Sequence, residues 1–139
     1  MFKSLHDILK EISELKTPKE KVEAIQSNRY KEAIKTIFGY TYSPTIKWLL
    51  PEGNPPYKPC EYLDLEGRFL VELRKLYLYI EGGNPNLTNL RREALFVQLL
   101  ESIDPKDAKL LLAMKDRTLP FKGLTKKIAN QAFPELNLE

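Results

Sequence analysis

A single cysteine and a single histidine occur in 139 residues. The lone Cys60 excludes an internal disulfide framework and a cysteine-rich zinc site. It sits in a proline-rich stretch with no basic partner that the sequence assigns to it. His6 lies on the polar side of a helical pattern, also without an assignable partner. There is no glycine-rich phosphate loop, no metal-ligand cluster and no nucleophile elbow. Carboxylates are plentiful, but they interleave with lysines, as in Glu20-Lys21 and Glu32–Lys35, which is the pattern of a solvated helix face. An enzyme is therefore not expected, nor is a cofactor or a metal. Long apolar runs are missing too. None approaches the ~20 residues that span a bilayer, and the N-terminus has none suited to a signal peptide. A cytoplasmic protein without membrane contact is expected. Sustained alternation and hairpin signals are absent, which argues against a sheet.

What remains is helical. Apolar residues make up 42% of the chain and charged residues 29%, with signs mixed and a formal net charge of +3. That is enough for one core, so residues 1–139 are read as a single compact all-α domain of seven or eight short helices. Leu5, Ile8, Leu9, Ile12 and Leu15 share one helical face, with Ser4 as a cap. Thr17-Pro18-Lys19-Glu20 starts a second helix by cap-then-proline spacing, with Val22, Ala24 and Ile25 inward. Tyr30, Ile34, Ile37 and Phe38 mark a third, with Gly39 as its C-cap. Ser43-Pro44 repeats the cap-then-proline pattern and predicts a short helix carrying Ile46, Trp48, Leu49 and Leu50. The stretch Pro51–Pro59 reads as a loop. Glu61–Ile80 reads as the longest helix, with Gly67 as its weak point. A turn at residues 81–86 leads to a helix from Leu87 to Ser102, with Leu87, Leu90, Ala94 and Val97 on one side. Asp104-Pro105 starts the next, with Ala108, Leu111, Leu112 and Met114 inward. The rings of Tyr40, Tyr42 and Trp48 fill a seam between helices more naturally than they stack on bases.

The positive charge is concentrated. From Lys115 to Lys127 there are five cations against one Asp116, a local +4, while the whole chain carries +3. Gly123 lets the backbone turn tightly or approach a partner closely. Thr125 is an N-cap for a short helix that Pro134 helps to end. Two readings follow. One is an anion site built from the helix start and the adjacent ammonium groups of Lys126 and Lys127, a nucleic-acid phosphate being one such anion. The other is a capped surface helix with solvated lysines.

Three stretches carry a resemblance. Ile8-Leu9-Lys10-Glu11-Ile12 is followed by Thr17-Pro18-Lys19-Glu20-Lys21. Tyr40-Thr41-Tyr42-Ser43 comes next. The most specific is Gly123-Leu124-Thr125-Lys126-Lys127-Ile128-Ala129-Asn130-Gln131-Ala132-Phe133-Pro134, preceded by Lys115-Asp116-Arg117. Together they resemble the N-terminal DNA-binding domain of ATP-dependent DNA ligases, the T-even phage ligases above all. The resemblance implies an all-helical domain, a phage origin and contact with duplex DNA through its phosphates. It implies phosphate-binding roles for Gly123, Thr125, Lys126 and Lys127, and for Arg117 and Lys122 beside them. Two departures stand out. Leu119-Pro120-Phe121 lengthens the loop before Gly123. A ligase would also continue beyond Pro134 into a nucleotidyltransferase domain, and the Lys-x-Asp-Gly adenylation motif is absent, so ligation by this chain is not expected.

The expected function is a stand-alone, non-catalytic DNA-binding protein that holds double-stranded DNA largely without sequence preference. The alternative is a protein-interaction module that kept this fold and binds a replication, host or virion protein. One continuous basic face favours the first. Scattered lysines beside an exposed apolar patch favour the second.

Overall fold

Five helices begin where a short polar side chain folds back to take a backbone N–H. Ser4 accepts from Asp7, Thr17 from Glu20, Thr88 from Arg91, Asp104 from Lys106 and Thr125 from Ile128, at 2.8–3.3 Å. Each bond satisfies a donor that the first helical turn would otherwise leave unpaired. The computed structural model describes residues 4–51, 53–60, 68–136 and 138. Among them the helices are α1 (Leu5–Ser13), α2 (Pro18–Ser27), α3 (Lys31–Tyr42), α4 (Arg68–Glu72), α5 (Asn89–Ser102), α6 (Pro105–Lys115) and α7 (Lys126–Ala132). Two 3-10 segments, Leu73–Tyr79 and Pro134–Leu136, complete the order.

The all-α, single-domain reading holds, with one core cluster shared by elements from Leu5 to Leu138. Helix α6 is its axis. Ala108, Leu110, Leu111, Leu112 and Met114 are all buried, so α6 is apolar around most of its circumference, as befits a helix enclosed on several sides. It packs on α1, α3 and α5. Helix α7 packs on α2 and α3, which brings the last helix against the early part of the chain. At one end of this core, Asp7 of α1 pairs with Lys106 of α6 at 3.2 Å, and the His6 N–H donates to Asp107 Oδ1 at 2.9 Å. Partial burial opposes ionisation of Asp7, but hydrogen bonds from His6 and Lys106 outweigh it and hold the carboxyl below its ordinary value. The ion pair is thus present above the ordinary carboxylate range and is lost as pH falls through the lowered value.

Four expectations need correction. Gly39 does not end α3, which runs on to Tyr42 and is closed by Ser43 donating to the Gly39 carbonyl. Burial of Thr41 and packing of Tyr42 beside Phe38 reward the extra turn. Ser43-Pro44 starts no helix. Leu49 N–H instead donates to the Tyr79 carbonyl and Glu81 N–H to the Lys47 carbonyl, both at 2.8 Å, making a strand-like bridge between Trp48 and Ile80. The long helix ending at Ile80 is, in its described part, α4 followed by a 3-10 segment, while residues 61–67, including Gly67, lie outside the described residues. Finally, the core face of α5 is Phe96, Leu99 and Leu100 with the buried Arg92, and the predicted stripe of Leu90, Ala94 and Val97 is turned away from it. Helix α5 carries two apolar stripes, and the one with the larger side chains is buried. Arg92 completes that face by donating to the Leu78 and Leu87 carbonyls and to Asn89 Oδ1.

The aromatic seam is structural. Trp48 donates its indole N–H to the Tyr40 carbonyl at 2.9 Å and meets the Tyr40 ring edge-on at 5.8 Å. Tyr79 packs edge-on against Phe96, and burial, helped by the nearby Glu72, pushes its phenol up to about 12. Among the described residues no helix is long and apolar enough to cross a membrane.

Candidate nucleic-acid interface

The basic stretch from Lys115 to Lys127 divides into two parts that do different work. Lys115 is not a surface cation. Its side chain is 2% exposed, and its ammonium donates to the Pro51 carbonyl at 2.9 Å, the Gly53 carbonyl at 2.9 Å and Asp116 Oδ1 at 2.6 Å. Arg117 follows α6 in the left-handed region at φ 61°. Its N–H donates to Met114, and the Thr118 N–H reaches back to Ala113, so the helix closes as a Schellman-type cap with arginine where glycine is usual. The Arg117 guanidinium donates to the Ile46 carbonyl at 2.7 Å and the Ser43 carbonyl at 2.5 Å. It stitches α6 to the segment after α3, away from the residues around Gly123.

The rest of the stretch is held from inside. Leu119, Phe121 and Leu124 are buried, and Tyr42 donates its hydroxyl to the Leu124 carbonyl at 3.1 Å. Phe121 also meets the His6 ring at 5.2 Å. The residues that lengthen this loop are therefore its anchors, and they leave Lys122 on the outside. Gly123 then passes so close to α1 that a Cβ would stand 2.3 Å from the Ser13 carbonyl oxygen and 2.8 Å from Lys21 Nζ. Its missing side chain serves an internal close approach. Gly123→Ala is expected to cost about 1–3 kcal/mol, because the clash is with backbone that must shift. Denaturant unfolding of the variant measures this, and an unchanged midpoint would show that the loop can move aside.

The outcome is a cleft of about 350 Å³ between α2 and the start of α7, lined by Lys21, Lys122, Lys127, Gly123 and Thr125 among others. Thr125 caps α7 at Ile128 N, 3.3 Å away. With seven residues α7 is too short to rely on its dipole, and the attraction for an anion rests on the ammonium groups. Lys126 is exposed beside the cleft without lining it. Among the described residues, none of Lys21, Lys122, Lys126 and Lys127 forms an ion pair with a carboxylate. The structure thus brings together Lys122, Gly123, Thr125 and Lys127, sets Lys126 at the edge and Arg117 elsewhere. It adds Lys21, which sequence reasoning did not choose. The signal was the Thr17-Pro18 start, which fixes the phase of α2 and so the direction of Lys21, but its partner across the cleft lies about a hundred positions away.

Among the described residues no group of His, Cys, Asp and Glu is placed to hold a metal ion. The arrangement can hold an anion by charge and by backbone approach. No curated protein matches the chain. A family model matches residues 8–120, a span that includes Lys21, Lys115 and Arg117 and ends before Lys122. The chain belongs to that family, described as a family of unknown function (DUF6433).

Proposed function

We propose that this protein is a non-catalytic DNA-binding domain that holds the phosphate backbone of a duplex in the cleft between α2 and α7. One observation carries the reading. Lys21, Lys122 and Lys127 line one small cleft with no carboxylate among the described residues to neutralise them, although the chain has 19 acidic residues. A solvated helix face would interleave the two signs. The resemblance of the Gly123–Pro134 stretch to the DNA-binding domain of DNA ligases points the same way. Contacts of this kind fix position on the backbone and carry no sequence information.

Fluorescence anisotropy with a labelled short duplex, nicked and intact, tests the proposal. Binding is expected at low salt, with little dependence on sequence, and it weakens as salt rises because each neutralised phosphate releases counterions. Absence of binding at low salt would overturn it. A second reading, a module that docks on a replication, host or virion protein, is favoured by a different observation: an apolar groove beside α5 that shares no residue with the cleft.

A further inference from the structure

The stripe that α5 turns away from the core is not isolated on the surface. Leu90 is 80% exposed, and Ala94 and Val97 follow it at four and seven positions, one above the other on the same helical face. Facing them across a groove of about 560 Å³ are Leu50, Pro55 and Pro56. Seven residues of helix span about 10 Å, so the apolar wall is two turns long. The loop wall is stiff, because proline fixes its own backbone dihedral, and Lys115 pins the loop through the Pro51 and Gly53 carbonyls. The groove is thus preformed and does not need to be ordered by what enters it.

Its charge is one-sided. Among the described residues that line it, the charged ones are Lys115 and Glu93. The Lys115 ammonium is already taken by two carbonyls and Asp116. Glu93 is exposed at the groove's edge and has no cationic partner among the described residues. Among its described residues the groove therefore offers an apolar floor and the uncompensated carboxylate of Glu93.

From this geometry we infer that the groove docks a short apolar segment of another protein, two to three apolar side chains long, with a lysine or arginine set to meet Glu93. This is recognition of an amphipathic segment by an apolar groove. It rests on the second reading of function and is independent of the basic cleft. The exposed Leu90 acts as the anchor, and Glu93 sets the orientation and the preference for a basic partner.

The probe is a library of random 16-residue peptides displayed on phage, selected against the whole protein at a salt concentration high enough to suppress phosphate contacts. The peptides that emerge are expected to carry apolar residues at helical spacing beside Lys or Arg. Their binding to purified protein is expected to fall at least tenfold on Leu90→Asp and on Glu93→Lys. Replacing the peptide's Lys or Arg by Glu is expected to restore binding to Glu93→Lys. Leu90→Asp places a carboxylate in the first turn of α5, where the helix dipole favours it, so the variant is expected to fold, and its melting curve checks this. Peptides that bind equally to parent and both variants would overturn the groove while leaving the module reading alive. Failure to select any binder would overturn both. Sedimentation showing a dimer that Leu90→Asp dissolves would assign the groove to a second copy and overturn the proposal as stated.

Discussion

Replacing Lys21, Lys122 and Lys127 together by glutamate is expected to abolish duplex binding and leave the fold intact. The three ammonium groups line one cleft with no carboxylate paired to them among the described residues. Three phosphate contacts give a slope of about −2.7 in log affinity against log salt, so the parent should lose about 40-fold between roughly 0.05 and 0.2 M salt. Glutamine at the same positions removes the charges without adding repulsion. That variant should bind weakly and with almost no salt dependence. Glutamate adds like-charge repulsion with each phosphate and should show no measurable binding. Because none of the three lysines holds an internal ion pair, unfolding should move by no more than about 0.5–1 kcal/mol. A triple variant that keeps the parent's salt slope would place the DNA on another face. Reversing Arg117 is the contrasting control. Its guanidinium is spent on the Ser43 and Ile46 carbonyls, so its loss should be felt in stability before it is felt in affinity.

A large loss of stability from a single charged side chain is expected at Lys115. Methionine fits the length of the side chain and removes the ammonium. It leaves the Pro51 and Gly53 carbonyls without the donor that now serves them, while the half-exposed Asp116 turns to water. Hydrogen bonds to a charged group are worth about 1.5–3 kcal/mol each. Water can reach part of the vacated site, so the expected loss is about 2–4 kcal/mol, read from denaturant unfolding. Limited proteolysis gives a second readout. Cleavage near residues 53–60 should speed up more in Lys115→Met than in a surface variant of equal stability, because the lysine is what ties this loop to α6. Equal cleavage would show that the prolines and the hydrogen bond from Lys58 N–H to Glu101 hold the loop without the lysine.

Lys115 also shows where the sequence misleads. Read along the chain it is one of five cations in a basic stretch, and nothing local distinguishes it from Lys122 or Lys127. What distinguishes it is a loop more than sixty positions earlier whose carbonyls need a donor. The helix starts were legible for the opposite reason. Thr17, Asp104, Thr125 and Ser4 make their capping bonds within three residues, so the information is local, while the Thr88 cap is missed when that helix is started at Leu87. Ser43-Pro44 has the same local grammar but is overruled from far away, because Arg117 takes the Ser43 and Ile46 carbonyls and the 3-10 segment supplies the Tyr79 carbonyl to the Leu49 N–H. In α5 both apolar stripes were visible. Periodicity measures the strength of a stripe but not which one meets α6, so Leu90 was placed with the core and Phe96 passed over. At the candidate site, Lys122, Gly123, Thr125 and Lys127 were readable as a group because they are neighbours in sequence. Lys21 was not, since its place opposite them depends on α7 folding back onto α2.

That folding back has a kinetic meaning. Gln26 of α2 reaches the Ala132 carbonyl, 106 positions away, and Gly123 closes against Ser13. Residues 122–132 come after α6 in the chain, so these contacts can form only once the last helix has been made. The helices around α6 can assemble before the cleft exists, and during synthesis the basic side chains of α2 wait, unpartnered, until residues 122–132 arrive. Any ability to hold an anion at this cleft would appear only with the final docking of α7, and would be lost first when that helix lifts away.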